Sequence, residues 1–230
     1  MNSAQLYTDG TYLECTGGTW HIEDSAAKAR WALKLLGRHP EATPKSIAEI
    51  GCGAGAILSA FQGHFPESSL TGYEISPQAY ALCETRTNES LRFVLGDAFE
   101  DGERYDLLLV LDVIEHVEDC FAFLRAAKAK GRYKLFNIPL DTSASFAVRG
   151  YNLWDTVGHI HLFTFETAMK TLEYTEYHVL DWLFMPAALE RARKRPVTQL
   201  MNAVRASLAS VSPKMASRLC GGYSLMVLAE

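Results

Sequence analysis

Between Ser46 and Ile138, short apolar runs alternate with segments of helical composition, and this alternation restricts the fold more than any other feature of the sequence. Ser46-Ile47-Ala48-Glu49-Ile50 reads as a strand that ends in Gly51-Cys52-Gly53-Ala54-Gly55, and Ala56 to Phe61 reads as the helix after it. Leu70 to Tyr73 is a second strand, closed by Glu74, with Pro77 where a helix begins. Phe93-Val94-Leu95 is a short strand ending at Gly96-Asp97. The run Tyr105 to Leu111, YDLLLVL, is nearly continuous apolar sequence, as a central strand covered on both faces requires. A helix through Asp119–Ala129 leads into Tyr133 to Ile138. Strand and helix repeated in this way predict an α/β protein with a doubly wound parallel sheet and helices on both faces.

The flanks read differently. Asp24-Ser25 supplies N-cap residue types for a helix that stops at Gly37, with Ala27, Trp31 and Leu35 at helical spacing. Downstream, Phe165–Glu173 reads as a helix, and Tyr177–Phe184 and Gly222–Leu228 as strands. Between those strands, Pro186 to Cys220 has helix-forming composition, two internal prolines, and seven basic residues (Arg191, Arg193, Lys194, Arg195, Arg205, Lys214, Arg218) against Glu190 alone. The rest of the chain is acidic, since the net charge is −5. No global basic field attracts nucleic acid. With 48% hydrophobic and 21% charged residues, the 230-residue chain has enough apolar matter for one core, which excludes disorder as its main state. No stretch reaches the ~18 apolar residues of a membrane span, the first twenty residues lack the pattern of a secretion signal, and five scattered cysteines without a CxxC pair argue against a disulfide framework or zinc site. A cytoplasmic protein is expected.

The glycine cluster and the acids at the strand ends carry the chemistry. A strand that stops in Gly-x-Gly-x-Gly before a helix leaves backbone N–H groups at the carboxyl edge of a sheet, where glycine permits a tight turn and close approach of a ligand. Glu74 lies nineteen residues after Gly55, about where a carboxylate grips both hydroxyls of a ribose. Asp97, at the end of the following strand, can accept from an exocyclic adenine amine.

EIGCGAG (Glu49–Gly55), GYEIS (Gly72–Ser76), GDA (Gly96–Ala98) and LVLDVIEHVED (Leu109–Asp119) are similar to the successive motifs of the class I S-adenosylmethionine-dependent methyltransferases. IPLD (Ile138–Asp141) and GHIHLFTFET (Gly158–Thr167) resemble a bacterial subgroup of that family, and the resemblance spans roughly Ser46–Leu180. It implies a Rossmann-like, mostly parallel seven-stranded sheet whose final strand pair is antiparallel, with the helical insertion 186–220 between those strands. It divides the chain into an N-terminal segment, 1–23, that serves as a lid, and a single methyltransferase domain, 24–230. S-adenosylmethionine would be the cofactor and S-adenosylhomocysteine its product. Glu49 and the backbone of Gly51, Cys52, Gly53 and Gly55 would face the methionine portion, with Cys52 a small loop filler. Glu74 would hold the ribose and Ile75 the adenine face, Asp97 and Ala98 would read the adenine edge, and Leu111 and Asp112 would flank the sulfonium. His116 would join these cofactor-binding residues as a group that steadies the loop after the fourth strand, the alternative being a catalytic role.

Methyl transfer from a sulfonium needs an oriented, electron-rich nucleophile, and so a proton acceptor beyond the fourth or fifth strand. His159 and His161 in GHIHLF are the candidates, the alternative being that one or both only hold backbone; Asp141 either orients a substrate amine or hydroxyl or caps a helix. Trp20, with Tyr7 and Tyr12 as a lid, and Tyr151 and Trp154 are candidate walls of the acceptor pocket. None of the seven histidines shows HxxxH or HExxH spacing, so no catalytic metal is expected. The expected acceptor is a small or carrier-linked molecule methylated on O or N. The basic insertion is a candidate surface for an anionic substrate or a membrane, the alternative being a solvated helical cap or a dimer face. Two other readings use the same acids: a non-catalytic nucleoside-binding module that acts as sensor or partner subunit, and an NAD-dependent oxidoreductase. The second fits less well, because Ala56 follows GxGxG and no glycine stands at the sixth position.

Overall fold

The computed structural model describes residues 22–149, 158–190 and 196–230. Seven strands form one sheet in the order β3-β2-β1-β4-β5-β7-β6: β1 (Ser46–Ile50), β2 (Ser69–Glu74), β3 (Leu91–Leu95), β4 (Tyr105–Leu111), β5 (Gly131–Leu140), β6 (Val179–Met185) and β7 (Tyr223–Ala229). β1 to β5 pair in parallel, and β7 runs antiparallel to both β5 and β6, so the expected doubly wound sheet with an antiparallel end is what forms.

The sheet is buried on both faces because successive strand residues point to opposite sides. On β4, Leu107, Leu109 and Leu111 enter one core, with α1 (Ile22–Leu36) and α2 (Ala56–His64). Leu108 and Val110 enter the other, with α4 (Cys120–Lys130) and α6 (Phe165–Tyr174). α3 (Pro77–Cys83) lies between β2 and β3, and α5 (Ala144–Arg149) follows β5. The first helix starts at Ile22, two residues before the expected Asp24 cap, and Asp24 is buried within it.

The insertion forms three helices, α7 (Ala187–Glu190), α8 (Pro196–Val211) and α9 (Pro213–Cys220). Both internal prolines start helices rather than breaking them, since a first-turn residue needs no N–H partner. Ser212 caps α9 through the Met215 N–H. Glu190, the one acid of the insertion, accepts from Arg30 at 2.6 Å and from the Trp31 indole at 2.8 Å, which fastens it to α1.

Gly72 on β2 is where the sheet meets the loop after β1. A Cβ there would lie 2.5 Å from the Phe93 ring and 2.8 Å from Cys52 Sγ, both of them packed. Gly63, in the last turn of α2, has open space around it. Gly72→Ala is expected to destabilise by about 1–3 kcal/mol through overpacking, whereas Gly63→Ala is expected to stabilise by about 0.4–1 kcal/mol. Urea unfolding of the two variants against the parent measures both signs.

Candidate functional site

The carboxyl ends of β1, β2 and β4 gather acids into one rim. After β1 the chain turns through Gly51, Gly53 and Gly55 with φ of 68°, 53° and 75°, a left-handed region that other residues enter only under strain. At Gly55 a Cβ would also strike the Phe93 ring at 2.6 Å. The N–H groups of this loop are engaged within the protein. Gly51 and Cys52 donate to the Tyr73 carbonyl at 2.9 and 3.0 Å, Gly55 to that of Cys52 at 2.9 Å, and Gly53 to Glu74 Oε2 at 2.8 Å. The expected grip of bare N–H groups on a ligand is therefore not present at these four positions. Cys52 packs inward against Gly72, with its thiol pushed up by a hydrogen bond with Cys83 and by burial, which agrees with a filler role.

Glu74 is 5% exposed and accepts from the N–H groups of Gly53 and Ser76. Burial pushes its carboxyl up, and these backbone donors oppose the shift. Each oxygen of a carboxylate has a further lone pair, so Glu74 ties the two loops together and still offers acceptors at the rim. Glu49 is 2% exposed, its Oε2 has no hydrogen-bond partner, and burial drives its carboxyl well above the ordinary range against the pull of Lys28. Asp97 is exposed at the end of β3 and accepts from the Phe99 N–H at 2.9 Å; Ala98 is buried beside it, and Ile75 is exposed after β2.

Asp112, just past the buried Leu111, has φ of 56°, a conformation that aspartate tolerates better than most residues. It pairs with Lys28 of α1 at 2.5 Å and accepts from Asn137 Nδ2 at 2.5 Å. Burial works to raise its carboxyl, but the Lys28 charge and these two bonds outweigh it and hold the group low. Lys28, Asn137 and Glu115 are site residues that the sequence reading missed. A signal exists for each: Lys28 stands one turn before the buried Ala32, Asn137 is a polar residue inside an apolar strand, and Glu115 follows Val113-Ile114.

A second group lies where the loop after β4 meets the segment from 158 to 161. The Ile160 and His161 N–H groups donate to the Glu115 carbonyl at 2.8 and 3.1 Å, and His116 Nδ1 donates to the Gly158 carbonyl at 3.0 Å. His159 Nδ1 donates to Asp141 Oδ2 at 2.6 Å. The His116 and His159 rings meet edge to face with centroids 4.8 Å apart. Burial, followed by the nearby His159, lowers His116 to about 4, so this imidazole is neutral at physiological pH. Neither carboxylate oxygen of the fully buried Glu115 has a hydrogen-bond partner, and burial together with Asp112 drives its carboxyl far up.

Of the two candidate bases, only His159 takes a carboxylate partner; His161 Nε2 bonds the Val117 carbonyl at 2.8 Å and holds backbone. Asp141 caps no helix in this arrangement but orients an imidazole. The expectation of no metal rested on short spacings, yet Glu115, His116 and His159 each bring a ligand atom within 4.8 Å of the others. Trp20, Tyr151, Trp154, Tyr7 and Tyr12 lie outside the described residues.

The basic insertion is not a free cationic face in its described part. Arg205 is buried and donates to the Gly221 and Cys220 carbonyls and to Asn202, while Lys214 and Arg218 both pair with Glu166. No described helix is long and apolar enough to cross a membrane.

Comparison with known proteins agrees with this geometry. Residues 48–130 match the family model described as a methyltransferase domain. Trans-aconitate 2-methyltransferase of Methylobacterium nodulans is 29% identical over 83 residues, 36% of this chain and 30% of that protein. Ubiquinone biosynthesis O-methyltransferase of the same organism is 33% identical over 90 residues, 36% of this chain and 35% of that protein. The chain thus spans about a third of the length of these relatives. Magnesium protoporphyrin IX methyltransferase from Synechocystis, solved with S-adenosylhomocysteine, superposes with a TM-score of 0.58 at 13% identity, over 92% of this chain and 84% of that one. The fold is that of the S-adenosylmethionine-dependent methyltransferases.

Lys28 offsets the crowding of negative charge at the rim. Lys28→Met is expected to cost about 1–3 kcal/mol at neutral pH. A carboxyl held low in the fold stabilises above the unfolded value of ~3.9, and that stability is lost as pH falls through the folded value. The difference between variant and parent should therefore narrow in acid, as urea unfolding at pH 7 and pH 3 would show.

Proposed function

We propose that this chain, which carries a methyltransferase domain at residues 48–130, is an S-adenosylmethionine-dependent methyltransferase that acts on O or N of a small or carrier-linked acceptor. The observation that carries the reading is the unpartnered Glu49 Oε2, buried at the tip of β1 between the glycine turn and Lys28. An uncompensated buried acceptor calls for a donor, and a cationic one is the strongest available. The ammonium of the cofactor's methionine end meets that requirement, Glu74 offers its remaining lone pairs to the ribose, and Asp97 offers its exposed carboxylate to the adenine amine.

S-adenosylmethionine supplies a methyl group already activated by its positive sulfur, so the protein's tasks are orientation and preparation of the acceptor. Asp112, held to Asn137 and to Lys28, fixes the tip of β4 beside which the methyl would lie. His159 is the group at which the acceptor is prepared. Asp141 holds its Nδ1–H, which directs Nε2 and its lone pair away from Asp141 toward the Glu115–His116 side. His161 supports the loop through Val117 and takes no part in the chemistry. An O or N acceptor suits a site built around an imidazole, because such atoms carry the proton that must leave. The N-terminal segment, with Trp20, and the residues around Tyr151 and Trp154 complete the acceptor side in this reading.

Titration calorimetry of ligand-free protein with S-adenosylmethionine and S-adenosylhomocysteine tests the first half, and absence of heat with both would sink it. Glu74→Ala is expected to weaken cofactor binding by about 1–3 kcal/mol. For the second half, His159→Ala is expected to lower kcat about 10²–10⁴-fold while leaving the cofactor Kd near that of the parent. His161→Ala is expected to lower stability more than turnover.

A further inference from the structure

The cluster of Glu115, His116 and His159 has the form of a metal site, and we infer that it binds one divalent first-row transition cation. The inference rests on the tautomers. A carbonyl and a carboxylate only accept, so His116 Nδ1 and His159 Nδ1, facing the Gly158 carbonyl and Asp141, both carry hydrogen. In neutral imidazoles this makes Nε2 the lone-pair nitrogen in each ring. Metal-bound histidines are held in the same way, with the distal N–H fixed by a carboxylate or a backbone carbonyl.

The third ligand is the decisive one. Glu115 is fully buried, both of its oxygens lack hydrogen-bond partners, and its Oε1 stands 3.8 Å from His116 Nε2, too far for a hydrogen bond. The carboxyl of Glu115 faces two imidazoles and makes no hydrogen bond within the fold. The backbone makes such bonds instead, through the Glu115 carbonyl and the N–H groups of Ile160 and His161. The ligand atoms lie within 4.8 Å of one another, which a single ion can bridge with modest side-chain movement.

Two imidazoles and one carboxylate select for zinc, manganese or iron(II) over magnesium and calcium, which prefer all-oxygen shells. Three protein ligands leave positions open for the substrate. The role rests on the proposed methyl transfer and refines it: with the ion bound, the His159 Nε2 lone pair is taken up by the ion, so His159 prepares the acceptor through the ion and does not take the proton itself. An acceptor hydroxyl bound at an open position loses its proton to water more readily, and its oxygen then forms a bond to the methyl carbon. The carbon–sulfur bond breaks as this happens, its electron pair passes to sulfur, and a neutral thioether leaves.

The test uses the full chain after treatment with a chelator. Calorimetry with Mn²⁺ and with Zn²⁺, and the visible spectrum with Co²⁺, should show one site with nitrogen and oxygen ligands and no thiolate charge-transfer band. Glu115→Gln and His159→Ala should each abolish that site. Asp141→Asn, which keeps all three ligands, should weaken it about 10–100-fold and serves if a ligand variant does not fold. Absence of binding by the parent, thiolate ligation, or binding unchanged in these variants would overturn the inference. Because the readout is metal binding, the two readings fail separately: cofactor heat without metal binding removes only the metal site, and metal binding without cofactor heat removes only the transferase reading.

Discussion

Placing several carboxylates together away from water is unfavourable, and the carboxyl rim of this sheet does so with the buried Glu49, Glu74 and Glu115 and the partly buried Asp112. The penalty is several kcal/mol for each ion that stays charged, unless bonds or opposite charge offset it. Glu74 is compensated by two backbone N–H groups and Asp112 by Lys28 and Asn137. Glu49 Oε2 and both oxygens of Glu115 are not compensated. A fold that tolerates such groups at one edge, while the sheet beneath is closed by Leu107, Leu108 and Leu109 at 0% exposure, separates its stable part from its reactive part. That division explains why the same strands can be both the core and the scaffold of a site.

The two uncompensated acids belong to different elements, Glu49 to β1 and Glu115 to the loop after β4, and both lie near Asp112 and Lys28. Glu49 lies at the end of β1 beside the glycine turn, where the proposed function puts the cationic tail of the cofactor. Glu115 sits under the loop after β4, among imidazoles fixed by Gly158 and Asp141. Asp112 stands between them in sequence order, with a left-handed backbone whose N–H donates to the Asn137 carbonyl and a side chain paired with the lysine of the first helix. In the proposed transfer the methyl group would lie beside Asp112, and the ion pair with Lys28 would then help to fix its geometry.

Sequence revealed the sheet because its strands are short, apolar and bounded by glycine or acid, and hydrophobic alternation is a local property. The glycine turn, Glu74 and Asp97 were legible for the same reason, since each stands at a strand end. Element ends were less legible: the first helix begins before its best cap residues, and β5 runs on through Pro139 to Leu140. The site beyond β4 was only half legible. His159 and Asp141 were found as separate candidates, but their bond joins residues eighteen apart across a loop. The cluster of His159 with Glu115 and His116 depends on a backbone contact that no spacing rule encodes. Lys28 was singled out by no spacing, and Arg205 counted only as one of seven basic residues of the insertion, because charge counts do not report which side chains a fold draws inside.

The same distinction explains how far the likeness to known methyltransferases reaches. The family-model match ends at residue 130, where β5 is about to begin. Everything before that point builds the glycine turn, the acids of β1 and β2, and the Glu115–His116 pair. Asp141, His159 and His161 come after it, as do the insertion helices that Glu190 ties back to α1. Cofactor groups are common to every reaction that uses the cofactor, so the residues meeting them can stay alike while acceptors change. Groups that prepare an acceptor are free to differ, and the two proposed for that task here, Asp141 and His159, lie past the end of the match. The acceptor is therefore to be sought from the chemistry of the Asp141–His159–Glu115 side, and a relative's substrate carries little weight in choosing it.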